Sequence, residues 1–350
     1  MQKTFTKEHS LAAKGLAILL LLMYHLFEDE VTVISMDVIY SPFSLNGFLT
    51  LTGFGNVCVS VFVLLTAYGI SKGLFVQDEL PSMKTVYSQA GKRFVRLMAN
   101  FTVLYLSANL LWWYKFDYQS LYGINKQGFL CILIDAVGLS MFFDTPTLNM
   151  TWWYMEIAYI LIFLVPLLAW LVKKVGNLAL LLAFFIPFIV VFQPDIERYL
   201  FVAVMGVCAA HGHWLDRLTE LEFHKALQWA AGIIGFVLCI LIRQNYIVHE
   251  YFLWLVDAPI ALFLVYVGAV LIGSIPVLGR VFKFIGKHSM NIYLVHTFFY
   301  MALWRYYIYH FRYAGITFLL LLAVCLVYSV ILELLKHVTR FNKLMARFHG

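Results

Sequence analysis

Lys14 and His25 stand eleven residues apart inside one apolar stretch, residues 11–27. On a helix that spacing places them about 16 Å apart along the axis and within about 20° of one face. A cation at one end and an imidazole at the other would make a polar stripe on an otherwise greasy helix. Histidine is the side chain that most readily gives and takes a proton near neutrality. Glu28 and Asp29 follow His25 at i+3 and i+4, where a carboxylate can hold one ring nitrogen and leave the other as a base. A snorkelling lysine and an interfacial histidine would fit the same spacing. The company these residues keep argues for chemistry.

That company comes from other apolar stretches. Glu156 lies just inside 152–172, Asp257 just inside 252–273 and Arg305 near the end of 289–309. An ionisable group in hydrocarbon costs roughly 2.5–3.5 kcal/mol even on the lenient insertion scale. Side chains at one depth on four helices are therefore expected to face a shared interior or a wet cavity. With a histidine among them, they suit general-base chemistry, burial and neighbouring carboxylates tuning the imidazole. His296, on the same segment as Arg305, is a further candidate to line that cavity. At the opposite depth, Lys92, Arg93 and Arg96 fall on consecutive turns. Such a cluster obeys the usual charge asymmetry of membrane proteins, and it also suits a polyphosphate, because guanidinium groups take phosphate oxygens in pairs. The combined reading is a phosphate-rich donor at one mouth and a base near the other.

The elements that must carry these residues are membrane helices. Only 13% of the chain is charged and 63% is hydrophobic, against about 25% charged in soluble domains. Such a chain cannot cover a water-facing surface, so the bilayer is its solvent. Eleven apolar segments can be read: 11–27, 48–71, 97–114, 128–143, 152–172, 177–193, 198–213, 226–242, 252–273, 289–309 and 314–335. With the N-terminus inside and 128–143 dipping in without crossing, most of the 25 lysines and arginines fall on the cytoplasmic side, from Lys3 to Arg347. Arg198 and Arg243 are then among the few in outer loops. A crossing at 128–143, which carries Asp135, would split the charges nearly evenly. The expectation is an all-α polytopic helical bundle of about ten transmembrane helices, with one short re-entrant or interfacial segment near 128–143 and both termini cytoplasmic.

Several classes are excluded by the same reading. The net charge of +6 is spread between apolar runs and forms no nucleic-acid patch. The five cysteines sit singly in apolar runs without ligand spacing, so no metal site is expected. No inverted repeat of the kind that marks many transporters is evident.

The motifs in order resemble those of the acyltransferase-3 family of integral membrane acyltransferases. That family carries Arg or Lys, ten residues, then His in its first helix, matching Lys14 and His25. Gly55-Asn56-Val57 through Phe62-Val63-Leu64-Leu65-Thr66-Ala67-Tyr68-Gly69 is similar to its second-helix FFxLSGF signature, with Thr66-Ala67-Tyr68 in place of Ser-Gly-Phe. Lys92-Arg93-Phe94-Val95-Arg96-Leu97 resembles its RRxxRL stretch. Asn149 and Trp152-Trp153-Tyr154-Met155-Glu156 resemble its tryptophan-rich helix start, and Gly286-Lys287-His288-Ser289-Met290-Asn291-Ile292-Tyr293-Leu294-Val295-His296 its GxxSxxIYLxH segment. The resemblance implies a single transmembrane acyltransferase domain over 1–350. It also implies a bacterial inner-membrane home and transfer of an acyl group, usually acetyl, from cytoplasmic acyl-CoA to a hydroxyl of an extracytoplasmic or lipid-linked glycan. His25 would be catalytic, as base or as acyl carrier, oriented by Glu28, Asp29 or Glu156. Lys14, Lys92, Arg93 and Arg96 would hold the CoA, and Asp257, Arg305 and His296 would line the cavity. The rival expectation is a glycolipid or small-solute transporter using the same intramembrane charges.

Overall fold

The structure, a computed structural model, describes residues 4–76, 79–190, 194–221 and 224–348. Lys3 and residues 191–193 of the sixth apolar segment lie outside the described residues. Each of the eleven segments forms a helix: α1 (Lys7–Phe27), α2 (Leu45–Leu74), α3 (Met83–Lys115), α4 (Lys126–Ala136), α5 (Met150–Val175), α6 (Leu178–Phe188), α7 (Pro194–His211), α8 (Lys225–Gln244), α9 (Val248–Ile272), α10 (Pro276–Thr297) and α11 (Ala314–Val338). No strand is present among the described residues, where one isolated bridge joins Ile39 to Tyr313.

Seven helices, α1, α2, α3, α5, α8, α9 and α11, are long and apolar enough to cross a membrane. The chain is therefore an integral membrane protein of all-α build. Ten crossings would need α6, α7 and α10 to join these seven. α6 is short, and α10 carries Arg280, Lys283 and Lys287. α4 has 11 residues, so it rises only about 16 Å, half of a hydrocarbon core of about 30 Å. That length fits a segment that dips without crossing.

Local sequence sets where the helices begin. Thr6 and His9 form a reciprocal capping box on α1, satisfying two backbone donors that a helix start leaves free. Ser44, Ser82 and Asn125 cap α2, α3 and α4 in the same sense. Pro166 lies within α5 and Pro259 within α9. α9 opens and closes in π-helical turns.

α1 is the central post. It packs most extensively on α10, then on α2 and the final π turn of α9. Glycines let these helices approach backbone to backbone. A Cβ on Gly286 would fall inside the van der Waals radius of the Leu11 carbonyl oxygen, and one on Gly15 inside that of Phe282. Gly55 meets the Leu20 carbonyl in the same way, and Gly268 rests on the Ala13 Cα. Close approach through small residues is what membrane helix packing relies on, since lipid tails are as apolar as leucine.

Polar ties brace the Lys14 end. Asp216, on the short helix Trp214–Glu220, accepts from the Phe5 N–H at 2.6 Å, from Lys72 at 3.2 Å and from His213 Nδ1 at 3.1 Å. Burial works against ionised Asp216, yet those partners outweigh it and hold the carboxyl below its ordinary value. Lys336, expected in a loop by charge sorting, is instead buried. It donates to Glu333 at 2.9 Å and Asn100 at 3.0 Å, joining α11 to α3. Asn291 reaches Glu333 at 3.0 Å, and His288 meets Ser329 at 2.8 Å, so α10 shares the network.

Gly286→Ala is expected to destabilise the protein by roughly 1–3 kcal/mol through overpacking. Gly73→Ala, with nothing within 4 Å of the new methyl, should be neutral or slightly stabilising; thermal unfolding in one detergent compares the two. Because Asp216 is held low, its clasp contributes at neutral pH and is lost as the pH falls through that depressed value. The gap in thermal midpoint between wild type and Asp216→Asn should close on acidification.

Candidate active site

Lys14, from α1, and Arg93, from α3, line one cavity of about 340 Å³, within the roughly 300–1,000 Å³ of small-molecule sites. Phe62 and Thr66 of α2, Tyr154 and Met155 of α5, and Ser289 and Tyr293 of α10 complete most of its wall. Neither Lys14 nor Arg93 has an ion-pair or hydrogen-bond partner among the described residues. Two unpaired cations facing one apolar cavity are costly unless an anion joins them. Lys92 and Arg96 are exposed on the same helix, Arg96 with an interaction of its own, and neither lines the cavity. Of the basic triplet, Arg93 alone faces inward because it sits on the α5-facing side of α3.

The cavity ends at Tyr293. That ring lies 5.6 Å from Tyr154, edge to face, and its hydroxyl donates to the Thr151 carbonyl. On its other side, 6.0 Å away, is the ring of His296. His296 is fully buried, and its Nδ1 lies 2.6 Å from the Tyr293 carbonyl oxygen. A carbonyl can only accept, so Nδ1 carries the hydrogen and Nε2 is left as an acceptor. That Nε2 is buried without a hydrogen-bond partner. The His25 ring is 4.9 Å from the His296 ring. The structure thus brings α1 and α10 histidines together.

His25 is half-buried, with Glu28 Oε2 3.6 Å from its Nδ1. Asp29 is differently engaged: it caps the short helix Glu30–Ser35, accepting from the Thr32 N–H at 2.6 Å. Of the two carboxylates expected beside His25, Glu28 is the one at the ring. Arg305 lies near the same rim, 3.5 Å from the Thr32 hydroxyl, with its Nε buried and unpartnered. Glu156 is buried on the first turn of α5, beside Met155 of the cavity wall, and has an interaction of its own.

Asp257 has other partners than the sequence suggested. It is fully buried and held by Arg243, with Nε to Oδ1 at 2.8 Å and Nη2 to Oδ2 at 3.3 Å. Arg198 is 3.6 Å from the same carboxylate and Ser60 donates to it at 3.4 Å. Arg198 and Arg243, which charge sorting placed among the few outer basic residues, lie on α7 and α8 and pair with Asp257; Arg243 is only 4% exposed. Arg198 also donates to Asn56 Oδ1 at 2.6 Å, so Arg243, Asp257, Arg198 and Asn56 form one polar cluster. Sequence reasoning missed Asn56, Arg198 and Arg243 as parts of it. The available signal was an arginine at the end of an apolar segment, on the same side as an intramembrane aspartate.

No group of three or more metal-ligating side chains is found among the described residues. In comparisons with known proteins, a family model described as an acyltransferase domain matches residues 12–335, nearly the whole chain. The chain belongs to that family, the acyltransferase-3 family, and is a membrane acyltransferase acting on groups other than amino-acyl groups. No curated protein and no solved structure matches it.

Asp257→Leu would leave two guanidinium groups without their carboxylate. Breaking a buried pair this way costs about 3–5 kcal/mol. The triple variant Asp257→Leu, Arg243→Leu, Arg198→Leu should recover part of that loss in thermal or denaturant unfolding.

Proposed function

We propose that this member of the acyltransferase-3 family transfers an acyl group, acetyl in the simplest case, from cytoplasmic acyl-CoA to a hydroxyl of an extracytoplasmic or lipid-linked glycan. One observation carries the reading. Lys14 and Arg93, both without an anion of their own, open onto a cavity that Tyr293 also lines, and the Tyr293 ring lies 6.0 Å from His296, itself 4.9 Å from His25. Phosphates of CoA would sit against the two cations, where charge-assisted hydrogen bonds are strongest. The pantetheine arm would run past Thr66 and Tyr154 towards Tyr293. The Lys14 end would then face the cytoplasm, with both termini on that side. A bacterial inner membrane suits this arrangement, as does one transmembrane domain over residues 1–350.

Glu28 beside His25 Nδ1 favours a hydrogen on that nitrogen, leaving Nε2 as the base. Nε2 would take the proton of the acceptor hydroxyl as its oxygen attacks the thioester carbonyl. The C–O bond forms, the C–S bond breaks, and the departing CoA thiolate takes the proton back from the imidazolium. His296, its Nε2 an open acceptor, would hold the second ring in register. The charges at Asp257 are tied into ion pairs, which favours a fixed site over a moving ion pathway.

The test uses purified protein in proteoliposomes with radiolabelled acetyl-CoA and cell-envelope glycan. His25→Ala should lower label transfer by roughly 10²–10⁴-fold while acetyl-CoA still raises the thermal midpoint. Arg93→Gln and Lys14→Gln should each weaken acetyl-CoA binding roughly tenfold to a hundredfold. Full transfer by His25→Ala would refute the reading.

A further inference from the structure

We propose that Arg198 recognises an acidic group, a carboxylate or a phosphate, carried by the acceptor. The inference rests on the acyl-transfer reading above, and it names the chemical class of the second substrate. Two guanidinium groups surround Asp257, which is the only carboxylate within ion-pair distance of either among the described residues. Arg243 takes both oxygens and is buried with them, at 2.8 and 3.3 Å. Arg198 is left with a weaker share at 3.6 Å. Two guanidinium groups thus share one carboxylate, an excess of one positive charge that a second anion would balance.

Arg198 is also the partner with capacity to spare. Its Nη2 donates to Asn56 and faces Asp257, and its side chain keeps 27% exposure where that of Arg243 keeps 5%, so an incoming group can reach the guanidinium. A guanidinium offers parallel donors that match a carboxylate or phosphate. Asn56 follows Gly55, which packs against Tyr24, the residue before His25. An acid held at Arg198 would leave a neighbouring sugar hydroxyl on the His25 side.

The experiment measures thermal midpoints of the full chain in phosphatidylcholine nanodiscs without any acyl donor. Glucuronic acid and glucose 1-phosphate should raise the midpoint and glucose should not. Arg198→Gln should weaken the acid response roughly tenfold to a hundredfold; Arg198→Lys, which keeps the charge without the fork, should retain part of it. Helicity and elution volume check that each variant is folded. Equal shifts with glucose and glucuronic acid, or an acid shift that survives in Arg198→Gln, would overturn the proposal. An Arg198-dependent shift from phosphatidylglycerol in the disc that also blocks the sugar acids would assign the anion to lipid headgroups and overturn the acceptor assignment. His25→Ala should bind the acids unchanged, so failure of acyl transfer and failure of acid recognition are separate results.

Discussion

The backbone contact between α1 and α10 is the constraint on which the rest depends. Gly15 and Gly286 let the two helices meet at Phe282 and Leu11 with no side chain between them. That contact fixes the axial register of α1 against α10. Register in turn decides that His25 meets His296 and that Lys14 opens onto the cavity bordered by Ser289 and Tyr293. A slide of one turn, about 5.4 Å, would separate both pairs. Membrane helices gain little from burying apolar surface against each other, so geometry this specific has to come from close packing and from polar ties. The glycines supply the first, and the Asp257 and Glu333 networks the second.

Charge in this bundle follows two rules at its two ends. Near His25, positive and negative groups are arranged against each other: Asp257 with two arginines, Glu28 with the histidine. Around the Lys14 cavity, cations stand without counter-charges of their own. A structural ion pair lowers the cost of its own burial, while an unpaired buried cation lowers it only when something binds. The contrast sets Arg243, held by Asp257, apart from Lys14 and Arg93, which have no anion of their own.

Much of this was legible in the sequence, because it depends on local spacing. Apolar run length located a helix in each of the eleven segments, although 289–309 is divided at Trp304, and α4, in the run that charge sorting kept from crossing, has 11 residues. The eleven-step separation of Lys14 and His25 put both on one helix, and of the expected basic cluster Arg93 shares a cavity with Lys14. Pairings between distant helices were not legible. Arg243 sits at the end of α8 and Asp257 early in α9, and nothing in either stretch says that the chain between them turns so that the two meet. Charge sorting assigns each basic residue a side of the membrane, and it says nothing of the pairs that Arg198, Arg243 and Lys336 form. The same blindness made Lys92 and Arg96 look equivalent to Arg93, since facing requires knowing where α5 lies.

Tyr293 is where the two halves of the site must communicate, and its position is set from α5. Asn149 donates to Thr297 at 2.5 Å, the Trp152 indole donates to the Leu294 carbonyl at 2.9 Å, and Tyr293 donates to the Thr151 carbonyl. Three bonds from the first turn of α5 thus grip residues 293–297 of α10, the stretch that contains His296. The tryptophan-rich start of α5 is therefore a clamp on the histidine helix. Because Tyr154, the next residue on α5, packs against Tyr293, the ring that closes the cavity and the bonds that hold it belong to one seam.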